Sequence, residues 1–572
     1  MIRNARFAAL ACAAAALAAH PAHAQEPVKH TPRPTAGAIS AQDLRTRLYV
    51  FGDDSMMGRE AGTRGNAMGT AYIASELRRL GLRPAGENGG YFQEVPMVQR
   101  GLAPGATLAV DGQSYAVGTD FLAVPRYGQI LQFAPAFSAS GVQAVYGGRV
   151  GEPSTMISPE QARGKLVVFA APLGQNGQPT FAFWAAGRTY AQYADAAGVA
   201  FTTLDITGQG LRGFLSNERT ELKGAEQAPA RLPAGLIISN AAAERILGAP
   251  LASLQVGAAG KTVTGAFTFF ERPTPHPVRN VVAVLPGSDP AVRGQYVAIG
   301  AHSDHVGTEH DAVEHDSIRV LNRLFRPEGA DQPAPDPDTL SAPQKAQLRA
   351  ALDSVRGRRA ARVDSIYNGA DDDGSGSMGV LEIAEYFASL RQKPRRSILF
   401  VWHNAEELGL LGSEHFTAHP TVPLDSIVAQ LNIDMIGRGA AGDTEGGGPG
   451  YLQLVGSRRL STQLGDLVES VNTSGRHGFA FDYSMDANGH PQNIYCRSDH
   501  ANYAKHGIPV TFFTTGGHSD YHQLTDEPQY IAYDKLAAVS RFIGAIGLEV
   551  ANRDARLVVD KPIPDPNAPC RQ

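Results

Sequence analysis

Between residues 275 and 550, short apolar runs alternate with helix-period segments, and this alternation constrains the fold more than any other feature of the chain. The runs 280–285, 296–301, 397–402, 427–433 and 510–513 are rich in Val, Ile, Leu and Phe, the composition of buried strands. The segment 378–390 lies between two of them with helical spacing. Strand and helix alternating in this way predict an α/β fold: a mixed, largely parallel sheet sandwiched by helices. A chain of 572 residues exceeds one compact core, so further domains are expected around it.

The surrounding segments read differently. Ser40 is a helix N-cap candidate, with Leu44, Leu48 and Phe51 at helical spacing behind it. A second helix is predicted over 67–80, with Gly81 just past its end. These segments make 40–100 and 269–555 the two pieces of a split domain. Residues 101–268 alternate short β-like runs with Gly- and Pro-rich turns, and read as a separate, β-rich insert. Residues 308–367 interrupt the core as a surface insertion, with a Pro- and Asp-rich loop at 327–338 and then a helix that Ser341 can cap. Residues 25–39 read as a disordered lead-in and 556–572 as a C-terminal tail.

Residues 1–24 have the layout of a signal peptide. Arg3 and Arg6 precede an Ala-rich apolar stretch, and Ala22-His23-Ala24 offers a cleavage pattern. Export to the periplasm or the extracellular space is therefore expected. Losing this segment moves the formal charge from −5 to −7, and no basic stripe stands out, which argues against a nucleic-acid partner. No later run reaches the roughly 18 apolar residues of a membrane span. Cys496 and Cys570 remain, enough for one possible disulfide and too few for a cysteine-based metal site.

Metal-ligand residue types recur just after the predicted strands or in the loops that follow: His302, Asp371, Glu406-Glu407, Asp434 and His522. Sites in open α/β sheets form beyond the carboxyl ends of strands. Taken singly, each residue has an ordinary reading as a hydrogen-bonded histidine, a solvated turn or a helix-start acid. Asp434 is harder to dismiss, because an acid following an apolar run needs a cation or several donors. Asp304, two residues after His302, could receive the imidazole N–H and fix its tautomer.

The chain resembles the di-zinc aminopeptidase family that includes bacterial leucyl aminopeptidase, aminopeptidase Y and the glutamate carboxypeptidases. The likeness rests on Gly300-Ala301-His302-Ser303-Asp304-His305, on residues 368–376, 405–413 and 431–437, on Arg497-Ser498-Asp499-His500, and on Asp520-Tyr521-His522. The 101–268 segment more loosely resembles a protease-associated domain. The resemblance implies two Zn²⁺ ions bridged by Asp371, with His302 and Asp434 on one and Glu407 and His522 on the other. It further implies Glu406 as general base, a cis peptide at Asp371-Asp372, and Tyr495 as an oxyanion donor, with a buried structural tyrosine the other reading of that residue. Peptides are the expected substrates and removal of N-terminal residues the expected activity. The alternatives are a carboxypeptidase or dipeptidase of the same chemistry, and more remotely a non-catalytic receptor-like ectodomain. The 69 residues between His302 and Asp371 place the insertion within reach of the cleft, and Arg497 replaces a cysteine found in some relatives.

Overall fold

The computed structural model describes residues 29–572 except 126–132, 153–155, 175–176, 181–188, 225–230, 359, 445 and 567. The expected signal peptide therefore lies outside the described residues.

Helix α1 (Ala41–Phe51) starts at Ser40, whose hydroxyl accepts the Asp43 amide at 3.0 Å. Helix α2 (Arg64–Arg79) starts three residues before the predicted position, because Thr63 serves as its cap. Both turn their apolar stripes, Leu44, Leu48 and Phe51 on α1 and Ile73 and Leu77 on α2, into one core.

That core covers a sheet of nine described strands: β1 (Arg83–Pro84), β2 (Phe92–Val95), β3 (Val278–Leu285), β4 (Tyr296–His302), β5 (Ser397–His403), β6 (Ile427–Ile433), β7 (Tyr451–Val455), β8 (Ala480–Asp482) and β9 (Val510–Thr514). The lateral order is β1-β3-β5-β4-β6-β9-β7-β8, with β2 also on β3. The central strands β5, β4, β6 and β9 run parallel, while β3 joins β5 and β7 joins β9 antiparallel. Alternate residues serve opposite faces. Val281, Ile299, Phe400 and Leu431 meet α1 and the helices α3 (Gly376–Ser389), α4 (Thr462–Ser474) and α5 (Tyr533–Asn552). Val282, Ala298 and Leu399 meet Phe416 and Tyr503 on short helices across the sheet. The sheet is thus covered on both faces, as the unbroken apolar runs predict.

A second sheet, from Met97 to Pro273, carries its own cores and makes the insert a separate layered unit with boundaries a few residues outside 101–268. Within it, 136–149, 166–170, 198–201 and 235–238 run parallel and the other strands antiparallel. The 308–367 insertion is closed at its base by antiparallel pairing of Thr308–Glu314 with Val363–Ile366. Ser341 starts the expected helix, Ala342–Arg356. A helix the sequence reading did not predict, His315–Phe325, packs against it.

Two terminal segments differ from expectation. The described part of the lead-in is docked, not free. The Thr35 hydroxyl accepts from Arg47 at 3.2 Å and Arg79 at 2.9 Å and donates to Glu385, and Ile39 is buried. Side-chain hydrogen bonds hold this segment, so it needs no periodicity and its Pro-rich composition gives no hint of them. The C-terminal tail folds back, with Cys570 disulfide-bonded to Cys496 and the Gln572 side chain accepting the Tyr495 amide at 3.0 Å.

Arg47 is fully buried between Glu76, Glu382 and Glu385, tying α1 to α2 and α3. Removing one partner of such a network leaves uncompensated buried charge. Arg47→Met should therefore destabilise the chain by about 3–5 kcal/mol, read as an earlier unfolding transition in urea; an unchanged midpoint would refute this account.

Candidate metal centre

The carboxyl ends of the parallel strands bring the site together. His302 is the last residue of β4, Glu406 and Glu407 follow β5, Asp434 follows β6, and His522 lies in the loop after β9. The turn at Ala370–Ser375 feeds three aspartates in from the side, just before α3. Gly376 is required where α3 begins: a Cβ there would stand 2.2 Å from Asp373 Oδ1 and 2.5 Å from the Ile433 carbonyl. Ala405, Met435 and His522 all hold positive φ, at 57°, 59° and 50°, so the site keeps three non-glycine residues in a costly left-handed conformation.

At the centre stands Asp372, where the resemblance implied Asp371. Asp372 Oδ1 lies 3.1 Å from His302 Nε2, and its Oδ2 lies 2.9 Å from His522 Nε2. Around Oδ1, Asp434 Oδ1 is 3.6 Å from His302 Nε2. Around Oδ2, Glu407 Oε2 is 2.9 Å from His522 Nε2. One carboxylate thus joins two ligand groups. Asp371 turns elsewhere, accepting the Gly437 amide at 2.6 Å and bonding His518 Nε2 at 3.1 Å. Asp373 accepts the amides of His302, Met435 and Gly376. The amides of Asp371 and Asp372 both donate to Asp526, which sets the turn and sends successive side chains to different sides. The cis peptide is likewise one residue later than expected, at Asp372-Asp373.

Two further expectations change. Asp304 stands 3.7 Å from His302 Nδ1, beyond a hydrogen bond, and accepts the amides of Glu406 at 3.2 Å and Glu407 at 3.3 Å. It orients the glutamate pair more directly than the imidazole. Tyr495 is absent from the cavity wall. Its ring packs edge-on to His500, lies under Arg459 and belongs to the core on the far face of the sheet. The 3₁₀ turn Ile494–Cys496 points it inward, so it cannot donate to a substrate oxyanion from there.

Other residues complete the site. His305 Nδ1 lies 2.8 Å from Glu407 Oε1, and its place three residues after His302 in the same motif was a visible signal. The Ser498 hydroxyl donates to Asp434 at 2.7 Å. Arg59, fully buried, donates to the carbonyls of Ser303, Asn368 and Gly369 and so pins the His302 loop to the aspartate turn. Arg59 lies 244 residues before Ser303, and Asp526, although close behind His522, falls outside the motif; no spacing marks either.

The electrostatics call for cations. Burial alone would push the Asp372 carboxyl up, but contacts with His302 and His522 hold it well below the usual range. Burial opposes protonation of His522 too, yet Glu407 and Asp372 raise its pKa to about 11. Burial pushes the Glu406 carboxyl well up, with Asp434 and Glu407 adding to the rise against His302. The carboxylates thus draw positive charge onto His302 and His522, and among the described residues His522 Nε2, set between Asp372 and Glu407, is buried without a well-formed hydrogen bond. A donor set of imidazole and carboxylate around a shared carboxylate fits divalent ions, which would take the place of those protons.

Above these residues opens a cavity of about 540 Å³, walled in part by Pro327, Glu328 and Asp331 of the insertion. The insertion therefore shapes the cleft. Among the described residues the one arginine or lysine on the cavity wall, Arg497, is held by Asp331 through a fork at 3.0 and 2.9 Å. Arg438 is buried against Asp443 at 2.9 Å and Asp520 at 3.0 Å.

Residues 338–546 match the model of peptidase family M28, a span that includes the aspartate turn, Glu406, Glu407, Asp434 and His522 and begins after His302. The chain is 29% identical over 170 residues to leupeptin-inactivating enzyme 1 of Streptomyces exfoliatus, covering 29% of this chain and 34% of that protein. It is 27% identical over 195 residues to leucine aminopeptidase 1 of Aspergillus niger, covering 32% of this chain and 46% of that one. The chain thus spans about a third to a half of the length of these two curated relatives. Among solved structures it is similar to a zinc aminopeptidase from Bacillus subtilis, with TM-score 0.45 and 16% identity over 91% of this chain and 97% of that one.

Proposed function

Starting from the match of residues 338–546 to the peptidase family M28 model, we propose that this protein is an exported, two-metal aminopeptidase. The observation that carries this reading is the shared Asp372 carboxylate between His302 with Asp434 and Glu407 with His522, at the floor of a cavity. His302, Asp372 and Asp434 would hold one zinc ion, and Asp372, Glu407 and His522 the other. When bound, such ions would polarise the scissile carbonyl and acidify the attacking water.

The chain's own groups do the rest. Glu406, beside Glu407 and fixed through its amide to Asp304, takes a proton from water and returns it to the leaving amine. His305 and Ser498 hold Glu407 and Asp434 in place. Apolar and polar groups, among them Met485, Phe512 and Tyr521, line the cavity beside them.

Two arginines support cleavage from the N-terminus. A carboxypeptidase needs a free guanidinium or ammonium for the terminal carboxylate. Arg497 and Arg438 are both occupied by aspartates, which leaves an acidic cavity suited to a free α-amino group. Aminoacyl p-nitroanilides should be cleaved, and acetylating the amine should lower kcat/KM by about ten- to a hundredfold, the scale of a lost charged hydrogen bond. A chelator should abolish both rates. Equal cleavage of acetylated substrate, or residues released from the C-terminus in a timed digest, would overturn the reading in favour of a carboxypeptidase.

A further inference from the structure

Resting on that reading, we infer that Asp482 closes the pocket for the substrate's N-terminal side chain and selects lysine or arginine there. The sheet edge beyond the metal-ligating groups builds this pocket. The Asp434 amide donates to the Phe513 carbonyl, which places Asp434 beside Thr514. Thr514 is in register with Gln453, and Gln453 with Asp482. These residues form one lateral row across β9, β7 and β8, and cross-strand partners in register share a face. The opposite face is apolar: Phe513, Leu452 and Leu454 enter the core, and Phe481 packs against it. The row itself lines the cavity, with Tyr451 and Phe512 two residues along on the same face.

The row has a length and a charge. Three steps at about 4.8 Å each place Asp482 about 14 Å from Asp434, Cα to Cα. A lysine or arginine side chain reaches about 6–7 Å from its Cα by bond lengths, and the two aspartate side chains cover much of the remainder. The walls along the way, Met485, Ile494 and Phe512, suit a long methylene stem, and a carboxylate closes the end.

Asp482 is available for such a partner. Its Oδ2 accepts the Tyr451 hydroxyl at 2.8 Å and its Oδ1 accepts the Ser484 amide at 2.8 Å, both neutral donors. Burial would raise its pKa, but these hydrogen bonds hold it below the ordinary value, so the group stays ionised. Among the described residues no arginine or lysine forms an ion pair with it. Lys535, 5.4 Å from the Tyr451 ring, gives its ammonium to the carbonyls of Gly439 and Gly448. Of the other aspartates of the wall, Asp372 and Asp434 belong to the ligand groups, and Asp331 and Asp443 already hold Arg497 and Arg438; Glu328 lies on the insertion, off this row. Asp482 is the lining aspartate left to meet a substrate cation.

The test is kcat/KM of the zinc-loaded full chain on lysyl-, arginyl-, leucyl- and phenylalanyl-p-nitroanilide. The lysyl-to-leucyl ratio is the readout, because it cancels any fraction of unfolded or metal-poor enzyme. The native chain should favour the cationic substrates by about tenfold or more, and Asp482→Asn and Asp482→Ser should each reduce the ratio about ten- to a hundredfold. A native preference for leucine or phenylalanine, or a ratio that neither substitution moves, would overturn the inference while leaving the aminopeptidase reading intact. Failure of the native enzyme on every aminoacyl anilide would overturn both.

Discussion

Replacing Glu406 by glutamine is expected to lower kcat by about 10²-fold or more on any substrate the native chain cleaves, the usual scale for loss of a general base. The amide keeps the size of the side chain and cannot accept the proton. The Glu406 amide bond to Asp304 is a backbone contact and survives the change, so Glu407 and the ligand geometry should stand. Metal content measured on the purified variant should therefore stay near two equivalents per chain, while KM changes less than kcat. A variant that retains most of its activity would remove Glu406 from the reaction. One that loses its metal would make it a ligand.

The second large effect separates neighbouring aspartates. Asp372→Ala removes the carboxylate that both ligand groups share, so metal content should drop and activity should fall about 10³-fold, matching several kcal/mol of lost charge stabilisation. Asp371→Ala removes an acceptor for Gly437 and a partner of His518 instead. It should cost about 1–3 kcal/mol of stability through unpaired buried donors and leave metal content largely in place. The reverse pattern, metal lost from the Asp371 variant and kept in the Asp372 variant, would restore the assignment that the family resemblance implies.

These two aspartates show where reading the chain as a string stops. The elements carrying the site were legible: strands ending at His302, His403 and Ile433 follow from apolar runs, and ligand types directly after them follow from the architecture of parallel sheets. The start of α1 at Ser40 and of the insertion helix at Ser341 came from capping chemistry, which is local. Three consecutive aspartates offer no local signal of which one faces a site. Here the choice rests on Asp526, more than 150 residues later, taking two of their amides.

The sequence by itself determined the class of fold, the residue types around the centre and their order, because periodicity and strand-end position are properties of neighbours along the chain. Only the tertiary structure decided that Asp372 is central, that Tyr495 faces a core, that Arg59 pins two loops and that Asp331 occupies Arg497. Each of these depends on a partner brought from far along the chain. The directions of side chains at such meetings are set by packing and by the satisfaction of buried polar groups, which no window of adjacent residues contains.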